Sequence, residues 1–164
     1  MAEAVSITEM RIDMRPMRPG EEPAIVAMVR GLAREAGGRA MPRLTPDGLR
    51  RHCDLIDVTV AEIAGGNLAG ACLTLMSYST WRGCKGVYVV DLFVERAWRG
   101  QMLGEQLLRA AARRANERGA EFIKLEVDIA NPGAGRFYDR LGFARNEYDR
   151  LFVLEREQFA AFLH

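Results

Sequence analysis

The chain has 164 residues, 49% of them hydrophobic, so it can bury one substantial core, and its length favours one domain over two. Its 23 basic and 22 acidic residues nearly cancel, which argues against general binding of nucleic acid or membrane surfaces. Three cysteines without C-x-x-C spacing and two histidines argue against a disulfide framework and a histidine metal site. No apolar run approaches the roughly 20 residues of a membrane span, so a soluble cytoplasmic protein is expected.

The first third of the chain predicts a short strand and two helices. Residues 1–10 are expected to form a loose tail, and a strand from Ile12 to Arg15 follows. Apolar residues at helical spacing predict a helix from Glu21 to Ala36. Thr45 is expected to cap a second helix that has Pro46 at its first position.

The middle of the chain predicts three strands. A glycine turn joins strands over Val58–Ile63 and Leu68–Met76, which indicates an antiparallel hairpin. After a predicted turn over residues 77–86, the apolar run Val87–Val94 is long enough for a central strand covered on both faces.

The last third mixes helix and strand patterns. An apolar face predicts a helix over Leu103–Arg118, and strict alternation predicts a strand over Phe122–Ile129. Another helix is expected from Pro132 to Leu141, followed by a strand over Leu151–Leu154 and a short helix over Glu155–Leu163. Together these elements indicate a mixed α/β sheet.

A glycine-bearing turn lies between the central strand and the helix that follows it. Such a turn places the unpaired backbone N–H groups of a helix end, and a partial positive charge, where phosphate can bind without a basic side chain. A phosphate-bearing cofactor is therefore expected at Arg99–Gly104.

Two sequence motifs in the chain match the pattern of a known protein family. The first is Arg99-Gly100-Gln101-Met102-Leu103-Gly104, which keeps both ends of the pattern R/Q-x-x-G-x-G/A and has Met102 at its inner glycine. The second follows N-x-x-A/S-x-x-F-Y-x-x-L/R-G-F/A and comprises Asn131, Ala134, Phe137, Tyr138, Leu141, Gly142 and Phe143. With these blocks the chain resembles the GNAT superfamily of N-acetyltransferases, which transfer acetyl from acetyl-coenzyme A to an amine.

The resemblance implies a fold and a cofactor site. Residues 11–164 would form a single-domain GNAT fold, a mixed and mostly antiparallel sheet with helices on both faces and a splayed central strand pair. The residues implied in binding acetyl-coenzyme A are Leu92, Phe93, Val94, Arg99, Gly100, Gln101, Met102, Leu103, Gly104, Glu105, Asn131 and Phe137. Arg99 either contacts phosphate or fixes the turn, and Asn131 is also a good helix cap. Met102 can replace glycine if its φ is negative, although its side chain can crowd the cofactor.

The resemblance makes Tyr138 the catalytic acid, and the alternative is a half-buried core tyrosine. Candidates for a base or for binding the amine are Asp91, Glu126 and Asp128. Asp91 is the only ionisable carboxylate in the apolar strand and either holds backbone at a bulge or takes part in catalysis. Glu126 and Asp128 are expected on the polar face of the following strand, where plain solvation is the alternative.

A closer resemblance, through the segment 77–83 and the strand behind it, is to the branch of diamine and spermidine/spermine acetyltransferases. Those enzymes carry a glutamate where this chain has Val90. The expected reaction is acetyl transfer to a primary amine of a small molecule by direct attack, without nucleic acid, membrane or metal. The alternatives are a catalytically weak acetyl-coenzyme A-binding module and an enzyme that acetylates peptide or protein amines. Homodimers are common in the family, but no stretch of this sequence defines an interface.

Overall fold

Five strands form one sheet in the order β1-β2-β3-β4-β5. The computed structural model that carries them describes residues 11–35 and 41–163, so the predicted tail of residues 1–10 lies outside the described residues. Neighbouring strands run antiparallel except β4 and β5, which are parallel, and the predicted mixed sheet is confirmed. The strands are β1 (Asp13–Pro16), β2 (Asp57–Glu62), β3 (Leu68–Ser79), β4 (Cys84–Val94) and β5 (Ala120–Leu125).

Helices cover both faces of the sheet, as predicted. The helices α1 (Glu22–Glu35) and α2 (Pro46–Arg51) pack on one face, and α3 (Leu103–Asn116) packs on the other. Thr45 caps α2, since its Oγ1 accepts a 3.0 Å hydrogen bond from the Gly48 N–H. The core on the first face comprises Ile25, Met28, Val29, Leu49, Val58, Val60, Ala71, Leu73 and Phe93.

The described chain divides into two compact units after Asn131. The second unit contains α4 (Pro132–Arg140) and α5 (Arg156–Phe162), both close to their predicted positions. After α4 the chain turns at Gly142, which has a φ of 86°, and the Phe143 N–H donates to the Tyr138 carbonyl at 3.1 Å. None of the helices in the described residues is long and apolar enough to cross a membrane.

The hairpin of β3 and β4 is longer than its sequence predicts. The predicted turn over residues 77–86 is wrong at both ends, because Ser77 pairs with Gly86 inside the sheet. Gly86 belongs in the strand for a packing reason: a Cβ at this position would lie 2.2 Å from the ring of Phe122. The absence of a side chain at Gly86 therefore makes room for the neighbouring strand.

Two other strand predictions are wrong. The strand predicted over Phe122–Ile129 ends at Leu125, and the Asp128 carboxylate then accepts a 2.9 Å hydrogen bond from the Ala130 N–H. That local bond favours a turn over an extended ladder. The strand predicted over Leu151–Leu154 does not form, because the described part of its unit contains two helices and no second strand to pair with it.

Candidate functional site

A left-handed backbone shapes the segment that enters α3. We call residues 99–105 the glycine turn; within it Gly100 has a φ of 74° and Met102 has a φ of 64°. Met102 stands at the N-cap of α3, where its side chain makes no capping hydrogen bond. The first N–H groups of α3 therefore lack a side-chain cap and can bind an anion together with the partial positive charge of the helix end.

The conformation of Met102 is a correction to the sequence analysis. From the sequence, methionine is expected to replace the inner glycine of the motif only if its φ is negative. In the structure Met102 instead adopts the left-handed conformation that favours glycine. Its side chain is 65% exposed. Methionine thus preserves the backbone shape of a glycine, and we estimate a local cost of about 1 kcal/mol.

The side chains of the glycine turn mainly hold its own structure. Arg99 donates from Nε to the Val94 carbonyl at 2.8 Å and pairs with Glu35 at 2.8 Å. Gln101 donates to the Ala97 carbonyl at 3.1 Å. These contacts are those of a residue that fixes the turn, and they leave the backbone N–H groups as the part of the turn that can bind an anion.

The strands β4 and β5 separate before β4 ends. Their last registered pair is Val89 with Leu125, whereas β4 stays paired with β3 as far as Val94. Within the described residues, no strand pairs with Leu92–Val94 on the β5 side. The separation exposes backbone donors and acceptors that an extended ligand can use.

A β-bulge sits at this separation. Leu73 pairs with Asp91 and Thr74 pairs with Val89, so Val90 is the additional residue of β4. Val90 is 40% exposed. The bulge therefore lies at the position where the resembling branch carries a glutamate, and the carboxylate in this chain is one residue later, at Asp91.

Asp91 is mostly buried on the sheet face that carries α1 and α2, because it shares a register pair with the core residue Leu73. Burial raises the pKa of its carboxyl group above the usual range. Within the described residues no hydrogen bond reaches the Asp91 carboxylate, so backbone binding at the bulge, one of the two predicted roles, is not what the side chain does. A carboxylate with a raised pKa is suited to accept a proton.

Tyr88 joins Asp91 on this face and is a residue that the sequence analysis missed. It pairs with Leu75, two residues from Leu73, and therefore faces the same side of the sheet. Burial raises the pKa of its hydroxyl, and the charges of Glu126 and Asp91 together with a hydrogen bond to Glu126 raise that pKa further. Alternation along the sequence would place Tyr88 and Asp91 on opposite faces, and only the bulge at Val90 brings the two side chains to the same face.

The structure treats the remaining carboxylate candidates differently. Glu126 directly follows β5, and its charge acts on the Tyr88 hydroxyl together with that of Asp91, so the three residues form one cluster. Asp128 instead accepts the Ala130 N–H through its side chain and the Asn131 N–H, at 2.8 Å, through its carbonyl. Asp128 therefore shapes the turn before α4.

The second unit holds the predicted acid. Tyr138 lies on α4, half-buried, in edge-to-face contact with Phe137 at 5.0 Å and with Phe143 at 5.3 Å between ring centroids. Such contacts restrain the ring. Tyr138 is thus held in a defined aromatic cluster together with Phe137.

Comparison with known proteins places this geometry in a family. The model of the acetyltransferase (GNAT) family matches residues 25–143, which include both the glycine turn and Tyr138. The match covers more than half of the chain.

Individual relatives agree with the family match. The chain is 27% identical over 140 residues to thialysine N-epsilon-acetyltransferase from Bos taurus, covering 79% of this chain and 82% of that protein. It is 41% identical over 85 residues to streptothricin acetyltransferase from Streptomyces lavendulae, covering 52% and 43% of the two chains. Its fold is similar to that of an integron cassette protein from V. cholerae, with a TM-score of 0.75, 18% identity, and coverage of 93% and 97%.

Proposed function

Since the chain belongs to the GNAT family of acetyltransferases, which take acetyl from acetyl-coenzyme A, we propose that it acetylates a primary amine of a small molecule. The observation that carries this proposal is the cluster of Tyr88, Asp91 and Glu126, which lies where β4 and β5 separate. A half-buried carboxylate beside an exposed one attracts an alkylammonium, and the strand separation offers backbone to an extended cofactor.

The glycine turn and the strand separation fit acetyl-coenzyme A. The N–H groups at the start of α3 would hold its pyrophosphate, and the open backbone of Leu92–Val94 would hold its pantetheine arm. When bound, the cofactor supplies the acetyl group as a thioester. Gly100 and Met102 supply the left-handed backbone that keeps these N–H groups converging.

Asp91 and Glu126 take different roles in this proposal. An alkylammonium with a reference pKa of about 10.4 must lose a proton before its nitrogen can attack. Asp91, whose pKa burial raises, accepts that proton directly or through water. Glu126, whose charge lies near the Tyr88 hydroxyl, binds and orients the ammonium group.

Tyr138 is the residue to which we assign the role of acid. Its phenol gives a proton to the departing sulfur, a role carried over from the family block in which it stands. The aromatic contacts with Phe137 and Phe143 restrain the ring for this purpose. Because the bound amine is already beside the acetyl group, no acyl-enzyme intermediate is required.

The direct test is acetyl-coenzyme A turnover, read as free thiol, with polyamines, amino acids and peptide amino termini as acceptors. Calorimetric binding of the cofactor is measured on the same sample. Thiol release that depends on a small amine supports the proposal, and release only with peptides favours the peptide enzyme instead. Cofactor binding without turnover on any amine identifies a binding module, the alternative that Val90 and Met102 favour.

Tyr138→Phe tests the acid. We expect a fall in kcat of about 10²-fold or more with little change in cofactor affinity, because the ring and its contacts are kept. Phe143→Leu, which removes an aromatic neighbour and leaves the hydroxyl, serves as the control for packing. Equal turnover in Tyr138→Phe and the parent protein removes the assigned role.

A further inference from the structure

Two cations lie beside the acidic cluster on the same face of the sheet. Lys124 is the register partner of Tyr88, and its Nζ lies 5.8 Å from the centroid of the Tyr88 ring. The charge of Glu126 acts on the hydroxyl of the same ring. The Tyr88 side chain therefore has a positive group over its ring and a negative group near its hydroxyl.

A second cation extends the positive side. The guanidinium of Arg82 lies 4.8 Å above the ring of Phe122, which sits two residues before Lys124 on β5. Alternate residues along a strand lie roughly 7 Å apart and share a face. Arg82 and Lys124 thus follow one another on the face, and the carboxylates of Asp91 and Glu126 come next.

Neither cation forms an ion pair within the described residues. Lys124 has no carboxylate within ion-pair distance there, and Arg82 bonds only to the Ser79 hydroxyl. Other arginines of this unit do have partners, since Arg114 and Arg118 both pair with Asp57 at 2.6 and 2.7 Å. A positive group left without a counter-ion beside a substrate-binding face can select an anionic ligand.

We propose that the acceptor carries a carboxylate as well as its reacting amine, and that Lys124, with Arg82 behind it, binds the carboxylate. This proposal rests on the acetyl transfer proposed above and names the substrate class of that same site. Asp91 and Glu126 bind the amine end, the ring of Tyr88 forms an apolar floor beneath the connecting carbons, and Lys124 meets the anionic end. A diamine of equal length would place its second ammonium against Lys124, where like charges repel.

Three acceptors of equal chain length test the charge at the distal end: 6-aminohexanoate, hexylamine and 1,6-diaminohexane carry an anion, a neutral methyl and a cation. Thiol release from acetyl-coenzyme A gives kcat/KM for each. We expect kcat/KM to fall in that order, with the amino acid exceeding the diamine at least about fivefold. In Lys124→Met this ratio falls to about one, mainly through a higher KM for the amino acid.

The control is Lys85→Met, which alters the other lysine of the chain. The Lys85 ammonium donates to the Arg118 carbonyl at 3.3 Å, away from the acidic cluster, so the ratio is expected to stay at its parent value. A diamine turned over as well as the amino acid, or a ratio unchanged in Lys124→Met, overturns the carboxylate proposal while acetyl transfer itself stands. Tight cofactor binding with no thiol release from any of the three amines or the wider panel overturns both proposals.

Discussion

The glycine turn and the acidic cluster of Tyr88, Asp91 and Glu126 are built in opposite ways. In the glycine turn, the side chains of Arg99 and Gln101 hold the loop together, and the backbone is what remains for a ligand. In the acidic cluster, the backbone of β4 is part of the sheet and the side chains face the proposed substrate.

This difference explains which departures from a family pattern a chain can tolerate. Met102 replaces a glycine without changing the backbone shape, so a site that works through N–H groups keeps its geometry. Val90 replaces a carboxylate, and no backbone feature can move a proton in its place. In the proposed mechanism the cluster uses another carboxylate, that of Asp91, which stands next to the bulge.

The largest effect is expected when the side-chain site loses its base. Asp91→Asn keeps the shape of the residue and removes its ability to accept a proton, so kcat should fall about 10²- to 10⁴-fold while cofactor affinity stays constant. Steady-state thiol release and calorimetry measure the two quantities. Asp13→Asn, at an exposed position on β1, is the matched control. Turnover within a few fold of the parent would reassign the proton transfer to another group.

A backbone change in the glycine turn should have the next largest effect. Gly100→Val places a branched residue at a φ of 74° although no atom lies within 4 Å of the new Cβ, so the cost is conformational, about 1–2 kcal/mol. If the bound turn requires this φ, the Kd for acetyl-coenzyme A rises about tenfold with kcat largely retained.

Gly20→Val is the control for that experiment, because Gly20 has a φ of 94° and equally open space, but lies before α1. It should lower the free energy of unfolding by a similar amount and leave the Kd unchanged. The same Kd in both variants would show that the glycine turn does not bind the cofactor through its backbone.

A smaller effect concerns stability and pH. Burial raises the pKa of Asp91 in the folded protein, so this group binds its proton more tightly when folded. Its contribution to stability is present below the unfolded pKa of about 3.9 and is lost as pH rises through the folded pKa. Asp91→Asn should therefore become more stable than the parent above this window, by about 1 kcal/mol at pH 7.

Urea midpoints of both proteins between pH 3.5 and 7 measure that difference, because the other carboxyl groups contribute equally to each. The salt-bridged Glu21, whose pKa Arg15 lowers, acts with the opposite sign in both proteins and cancels. A difference that does not grow with pH would show that Asp91 is not desolvated in solution.

The smallest effect is expected at Met102. Met102→Gly relieves the left-handed strain but gives the unfolded chain more freedom, for a net gain of about 0.5 kcal/mol in unfolding free energy. Cofactor affinity should stay equal or improve. The control is Met41→Gly, at an exposed methionine outside regular structure. It gives the unfolded chain the same additional freedom without relieving strain, so it should lower the free energy of unfolding. An equal decrease in the free energy of unfolding in the two variants would mean that Met102 carries no strain.

Much of the fold followed from local sequence signals. Three local signals each predicted an element that the structure contains: the cap at Thr45, the apolar spacing of α1 and α3, and the turn at Gly65 and Gly66 between β2 and β3. These signals involve residues within a few positions of one another, so the sequence carries them directly.

The failed predictions concern features that depend on distant partners. The end of β5 depends on where β4 leaves it, and the segment Leu151–Leu154 had the composition of a strand but no partner strand in its unit. The charge environment of Tyr88 comes from Glu126, 38 positions later by residue number. Alternation along one strand cannot report on a neighbour contributed by another.

The sequence by itself determined the helices, the hairpin of β2 and β3, the glycine turn and the family, because each depends on short-range spacing or on motif residues in fixed order. Only the tertiary structure decided that Asp91 is half-buried with no hydrogen bond from the described residues, that Tyr88 lies near both Asp91 and Glu126, and that Lys124 lies over the Tyr88 ring. The physical reason is that burial and charge act through space, and the parallel pairing of β4 with β5 creates those neighbours.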